Sequence, residues 1–172
     1  MVTAIAGVNR VKNFVVIDAS PLIGLAIVDG LSWLPKLFDT IYVSKIVKSE
    51  VLPRTSAQGE DEITHAFESG WLKVWQEPIN SLLDIDLDAG ETDCINIAMQ
   101  YADRVLLVMD ERAGRSVVKE KGLKVIGTAA IIGIAKQQGL IGSAREVFEC
   151  LHQSSFRIAP AVIKQVLNRV GE

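Results

Sequence analysis

The chain has 172 residues, a formal net charge of −3, 49% hydrophobic residues and a mean hydropathy of +0.27. This length suits a single domain that buries a core without disulfides or a structural metal. The acidic balance argues against a broad nucleic-acid-binding surface, and no apolar run approaches the ~18–20 residues of a membrane-spanning helix. The first residues, MVTAIAGVNRVK, lack a basic end followed by a long apolar segment, so we expect a cytoplasmic protein without a signal peptide.

Short apolar runs alternate with helix-like patterns along the chain. The predicted strands are 14–17, 40–43, 72–75, 105–109 and 124–126. Helices are predicted over 20–28, 31–38, 44–51, 60–68 and 88–101, after the fourth strand as far as 121, over 128–138, and twice within 143–170. Strands that alternate with helices indicate βαβ units and a parallel sheet. We therefore predict one α/β domain over 1–172, with a C-terminal helical extension at about 143–172.

Several residues are predicted to cap these helices. Ser20, with Pro21 after it, Ser44 and Thr128 have the side chains that N-cap positions favour. Asp88, with Glu91 three residues later, fits a capping box.

Two acidic residues directly follow apolar strands. Asp18 comes after FVVI and Asp110 after RVLLVM. In an open parallel sheet, ligands bind beyond the carboxyl ends of the strands. A carboxylate beside buried strands is costly unless it is paired or holds a cation, although either residue could instead cap the next helix. Two such residues together favour a shared site.

Three further acids are candidates for the same edge of the sheet. Glu50 lies in SKIVKSEV, where a solvated helix acid is the ordinary interpretation. Glu91 and Asp93 open the helix DAGETDCINIA, where the helix dipole alone would favour acids. They are about 200° apart around the helix axis, so we do not expect both to reach one metal ion directly.

Apolar residues in the first two predicted helices exceed what a small monomer needs to bury. Contiguous apolar surface usually marks an interface, so we predict a homodimer, unless these residues fill the core. The residues concerned are Leu22, Ile23, Leu25, Leu31, Trp33 and Leu34. The two thiols, Cys94 and Cys150, are expected to be small buried hydrophobes.

Taken together, these segments resemble the PIN domain family. VVIDASPLIGLA is similar to its opening motif, DCINIA to the helix with the third acid, and LLVMD to the strand with the fourth. GETDCINIAMQ, MDERAGRSVVKEKGLKVIGT and IAKQQGLI resemble a prokaryotic PIN-like branch related to the toxin ribonucleases of VapBC toxin–antitoxin pairs. The resemblance covers roughly residues 14–172. It implies a three-layer α/β fold with about five parallel strands flanked by helices.

The resemblance also implies an activity and a site. The implied activity is hydrolysis of RNA phosphodiesters with Mg²⁺ or Mn²⁺, by the toxin of a pair whose partner is an antitoxin protein. The implied metal ligands are Asp18, Asp110 and either Asp93 or Glu91. Glu50 is expected to orient a metal-bound water, and Glu111 could share the role of its neighbour. The catalytic acids would then be Asp18, Glu50, Asp93 and Asp110.

Substrate contacts are expected from Ser20 and from a basic helical face. Arg112, Arg115 and Lys119 lie at i, i+3 and i+7, so they share one face near Asp110 and could bind RNA phosphates. A solvated basic face is the alternative. For the whole chain, the alternative function is a catalytically silent PIN-like module that binds a metal ion or a partner.

Overall fold

A computed structural model describes residues 13–84 and 86–172 of the chain. The opening segment, on which the expectation of no signal peptide rests, lies outside the described residues. Within them, no helix is long and apolar enough to span a membrane.

Five parallel strands form one sheet in the order β3-β2-β1-β4-β5. The strands are β1 (Phe14–Ile17), β2 (Ile41–Val43), β3 (Leu72–Val74), β4 (Val105–Val108) and β5 (Lys124–Ile126). The predicted five-stranded parallel sheet is therefore confirmed. Chain order reverses between β1 and β4, so the carboxyl ends of these two strands flank a topological switch point, where such sheets bind ligands.

Helices cover both faces of the sheet, as the predicted three-layer fold requires. They are α1 (Ala19–Ile27), α2 (Leu34–Leu37), α3 (Lys45–Val51), α4 (Glu60–Glu68), α5 (Ala89–Gln100), α6 (Arg112–Glu120), α7 (Thr128–Gln137), α8 (Ala144–Gln153) and α9 (Pro160–Val170). Short 3₁₀ helices cover Leu31–Trp33 and Ala102–Arg104.

Two predicted helix caps are confirmed. The Ser44 hydroxyl accepts a hydrogen bond from the Val47 N–H at 3.1 Å, at the start of α3. The Asp88 carboxylate accepts one from the Glu91 N–H at 2.8 Å, at the start of α5. Both contacts span three residues, so the local sequence contains everything they need.

The other two predicted caps are wrong. Helix α1 begins at Ala19, after an extended Asp18, so Ser20 lies inside the first turn. Pro21 is tolerated there because the first N–H groups of a helix have no intrahelical acceptor. Thr128 is the first residue of α7 rather than its cap, and its hydroxyl donates to the Asp110 carboxylate at 2.6 Å.

The apolar residues from which a homodimer was predicted belong mostly to the core. Five of the six have 0–7% of their surface exposed, and Ile23 is half-buried. The five are Leu22, Leu25, Leu31, Trp33 and Leu34. They belong to the hydrophobic core instead of forming an apolar surface, so the homodimer stays a prediction without this support. Cys94 is buried as expected, whereas Cys150 is exposed.

Helices α8 and α9 pack against α7. A Cβ atom on Gly133 of α7 would lie 2.9 Å from Cγ1 of Val166 on α9, so the two helices approach closely. The Glu172 carboxylate accepts hydrogen bonds from the backbone N–H groups of Ala144 and Arg145, both at 2.9 Å. Residues of α9 line a cavity together with residues of α6, β5 and Asp110.

Candidate functional site

Asp18 follows β1 at the switch point and is buried, with 5% of its surface exposed. Its N–H donates to the Val108 carbonyl at 3.0 Å, which continues the pairing of β1 with β4. Its side chain makes no cap hydrogen bond to α1. Burial raises the pKa of Asp18 from 3.8 to about 6; the Ala19 N–H at the start of α1 lowers it in part, and the charges of Asp88, Glu50 and Asp110 raise it further. Because the Ala19 N–H does not offset burial, a role at the start of α1 does not by itself account for this carboxylate.

Asp110, which follows β4, is held by the start of α7. The Thr128 N–H donates to Oδ1 at 2.8 Å and the Thr128 hydroxyl donates to Oδ2. Burial raises the pKa of Asp110, whereas the Thr128 bonds and the Arg115 charge lower it. A Cβ on Gly127 would lie 2.7 Å from Oδ1, so glycine leaves room for this arrangement. Asp110 thus caps a helix distant in sequence, although each carboxylate oxygen keeps a further lone pair.

Glu91 lies in the first turn of α5 with its side chain against α6, and it is buried, with 3% of its surface exposed. Its Oε1 atom has no hydrogen-bond partner among the described residues, and it would lie 3.2 Å from a Cβ on Gly114 of α6. Burial and then the charges of Asp88, Asp18 and Glu111 raise the pKa of Glu91 to about 7. A buried carboxylate oxygen without a donor is costly, so a cation or a proton is needed at this position.

Glu50 and Asp93 lie on the other side of the α5 N-terminus. A Cβ on Gly90 would be 2.8 Å from Glu50 Oε2, so the Glu50 carboxylate lies directly against α5. Burial and then Asp88 and Asp93 raise the pKa of Glu50. Burial also raises the pKa of Asp93, and the nearby Ser44 hydroxyl lowers it in part. The two acids at the start of α5 therefore face different neighbours, as their separation around the helix axis predicts.

Mutual effects on pKa relate the sequence-predicted acids of this region to one another, and they add a further acid to the set. Asp88 had been assigned only a capping role, but its charge raises the pKa of Asp18, Glu50 and Glu91. The sequence feature that could have indicated this role is its position at the N-cap of a helix that has two further acids in or near its first turn. Glu111 is the N-cap of α6 and is exposed, so it contributes charge at the rim.

The donor set has the chemistry that a hard divalent cation requires. Clustered carboxylates repel, and burial adds to the cost of ionising them, so they hold protons or a cation. Oxygen ligands of this kind suit Mg²⁺ or Mn²⁺. Within 13–84 and 86–172, however, no three His, Cys, Asp or Glu side chains are arranged as a ready-made metal-binding group. The negative charge of these residues and the unpaired Glu91 oxygen suit a bound cation. The described side chains do not, however, form a complete coordination shell.

The predicted substrate contacts are divided between two places. Ser20 is half-buried in the first turn of α1. Arg112, Arg115 and Lys119 line one cavity of about 570 Å³ together with Asp110. Arg115 donates from Nη1 to the carbonyl of the residue before Asp110 at 2.9 Å, so at least part of its role is structural. The other two cations are exposed.

Comparisons with known proteins give one family match and a structural similarity. A family model described as "DUF3368: PIN domain" matches residues 14–172. Among solved structures, the chain is similar to a PilT N-terminus domain protein from the hyperthermophilic archaeon Sulfolobus solfataricus P2, with 16% sequence identity and a TM-score of 0.48. That similarity covers 85% of this chain and 99% of the other. Comparison with curated proteins gave no match.

Proposed function

Because the chain belongs to the PIN domain family, a nuclease-type fold, we propose that it is a divalent-metal-dependent ribonuclease that hydrolyses RNA phosphodiesters. The observation that carries the proposal is the buried Asp18 carboxylate at the switch point. Burial and the charges of Asp88, Glu50 and Asp110 disfavour its ionisation, and the Ala19 N–H offsets them only in part. A carboxylate in this position gains most from a bound cation, because a cation offsets both burial and repulsion.

Each acid then has a role that follows from its position. Asp18 and Glu91 are the proposed metal ligands, with Asp110 as the third because it stands across the switch point. Glu50 and Asp93, on the other side of α5, would orient water by accepting its hydrogen bonds. When bound, a divalent ion activates water, polarises the phosphoryl oxygen and stabilises the leaving oxygen. Thr128 positions Asp110 through its two hydrogen bonds to that carboxylate.

One observation favours the silent module as a second candidate. Both oxygens of Asp110 already accept hydrogen bonds from Thr128, and the Arg115 charge lowers its pKa. A carboxylate satisfied in this way needs a cation less than Asp18 does. Such a module would bind Mn²⁺ through Asp18 and Glu91 without cleaving RNA.

A cleavage assay separates the two candidates. The full chain is incubated with a mixed RNA pool in Mg²⁺, in Mn²⁺ and in EDTA, beside Asp18→Asn and the control Asp103→Asn. The control is an exposed acid outside the candidate site, so its variant should cleave like wild type. We call the acids of the candidate site the acid cluster: Asp18, Glu50, Asp88, Glu91, Asp93 and Asp110. Cleavage that requires the metal and disappears only in Asp18→Asn supports the ribonuclease. Metal binding by calorimetry without cleavage by wild type supports the silent module.

We further propose that the ribonuclease acts in the cytoplasm as the toxin of a toxin–antitoxin pair. This finer proposal rests on the resemblance of GETDCINIAMQ and MDERAGRSVVKEKGLKVIGT to the toxin-related branch. Induced expression should arrest growth, and co-expression of the product of a short upstream gene should relieve the arrest. Asp18→Asn should not arrest growth. Arrest by this variant, or growth unaffected by an RNA-cleaving wild type, would rule out the toxin role without affecting the assignment as a nuclease.

A further inference from the structure

The cavity that Asp110 lines is a groove bordered by α6, by β5 and the start of α7, and by α9 with the segment before it. Cations line both of its walls. Arg112, Arg115 and Lys119 lie on the α6 wall, and Arg157 and Arg169 on the α9 wall. These residues define what we call the basic groove.

The positive charge of the basic groove is local. Asp110, at the end next to the acid cluster, is the one acidic residue among the described residues that line it. The chain as a whole has a net charge of −3, whereas the residues that line this groove carry a net positive charge. Arg157 and Arg169 reach it because α9 packs on α7. A path of cations that leads to a cluster of acids is suited to a polyanion whose reacting phosphate needs a metal ion.

Not all five cations are equally available to a ligand. Nη1 of Arg157 donates to the carbonyls of His152 in α8 and Phe156 in the α8–α9 connection, and Nη1 of Arg115 donates to the Met109 carbonyl. In the part of the chain that the structure describes, the side chains of Arg112, Lys119 and Arg169 have no hydrogen-bond or ion-pair partner, and all three are exposed. Arg112 and Lys119 line the groove from α6, and Arg169 lines it from α9. Lys119 and Arg169 are therefore available to contact a phosphate backbone from two helices.

The uncharged residues that line the basic groove are mostly apolar, and the described ones include no aromatic side chain. They include Val125, Ile126, Ala130 and Val162, and Val162 is 41% exposed. Base recognition on single strands relies on stacking with aromatic rings and on hydrogen bonds to base edges. Phosphate contacts carry no sequence information. The groove is thus suited to holding a backbone without reading its bases.

We propose that the basic groove binds the phosphates of single-stranded RNA on one side of the scissile bond and leads the strand toward the acid cluster. The proposal rests on the proposed function, since the acid cluster is the place where the RNA strand would be cleaved. It assigns Arg169 and Lys119 as direct phosphate contacts. Arg157 is assigned as a positioning residue for the wall that carries Arg169.

The test is RNA binding without catalysis. The full chain in EDTA is titrated against a fluorescent mixed-sequence RNA of about 12 nucleotides, and anisotropy is followed at several salt concentrations. The variant is Lys119→Gln with Arg169→Gln. The control is Lys121→Gln with Lys164→Gln, which removes the same charge from α9 and from the residue after α6, outside the groove. Thermal melts by circular dichroism verify that both variants are folded.

Loss of two phosphate contacts should weaken binding and reduce the slope of log K against log salt by about 1.4, because each contact on a single strand contributes ~0.7. The control should keep the wild-type slope. Equal slopes for the two double variants, or no RNA binding by wild type at low salt, would overturn the proposal. If poly-glutamate binds wild type more tightly than the RNA at equal ionic strength, the groove instead receives an acidic protein segment.

This design separates the groove from the activity. If wild type cleaves RNA and the groove variant binds RNA with the wild-type slope, the nuclease assignment stands and the groove proposal fails. If the slope falls as expected and no metal ion supports cleavage, the groove proposal stands and the nuclease assignment fails.

Discussion

Asp18→Asn should stabilise the metal-free protein and remove its response to metal. The pKa of Asp18 is raised from 3.8 to about 6, and one pKa unit corresponds to ~1.36 kcal/mol. Keeping this buried carboxylate ionised in the folded protein therefore costs about 3 kcal/mol at neutral pH. Asparagine has the same size and no charge. Its amide hydrogens need partners of their own, so we expect a net gain of about 1–3 kcal/mol.

Thermal melts at pH 7.5 measure this gain. For a chain of this length, each kcal/mol shifts Tm by about 2–4 °C, so in EDTA the variant should melt several degrees above wild type. Saturating Mn²⁺ should then raise only the wild type, by about 2.7 kcal/mol at a hundredfold excess over Kd. The difference in Tm between the variant and wild type should therefore disappear or change sign in Mn²⁺. The control Asp103→Asn should stay within about 0.5 kcal/mol of wild type and keep the Mn²⁺ response.

The same comparison has a defined pH dependence. The folded pKa of Asp18 lies above its unfolded value, so the folded state binds the proton more tightly and loses stability as this proton is released. In EDTA the penalty is absent below pH ~4, grows between about pH 4 and 6, and is complete above that. The excess Tm of Asp18→Asn should follow this curve. An excess that is equal at pH 4 and pH 7.5, a variant less stable than wild type, or an unchanged Mn²⁺ shift would refute the reasoning.

Two further substitutions test how Asp110 is held. Gly127→Ala places a methyl group 2.7 Å from Asp110 Oδ1 and 3.0 Å from Arg115 Nη1, so urea unfolding should show a loss of about 1–3 kcal/mol. Gly142→Ala, with nothing within 4 Å of the new atom, is the matched control, and an equal loss there would contradict the steric argument. Thr128→Val removes the hydroxyl that donates to Asp110 Oδ2 and should cost about 1–3 kcal/mol. Because the lost bond favours the ionised carboxylate, this cost should be greater at pH 7.5 than at pH 4. A urea midpoint that is unchanged at both pH values would show that Thr128 does not hold Asp110.

Much of the fold was predictable because it depends on short-range patterns. The apolar run RVLLVM predicts a buried strand, and β4 is found at Val105–Val108. Ser44 and Asp88 cap helices through contacts three residues away, so the local sequence is sufficient. The parallel sheet follows from the alternation of strands and helices, which leaves few other topologies. The positions of Asp18 and Asp110 after strands predicted that they would share one edge of the sheet.

What the sequence could not decide depends on contacts between residues that are far apart in the chain. Thr128 holds Asp110 from 18 residues away, which is why a predicted helix cap became a support for the site. Apolar side chains such as Leu22 and Trp33 are equally suited to a core or to an interface, and only the packing of the sheet showed that they are core. The α9 wall of the basic groove comes beside α6 through tertiary packing. Burial and charge proximity set the pKa values of the acids, and both arise only when the folded chain excludes water and brings like charges together.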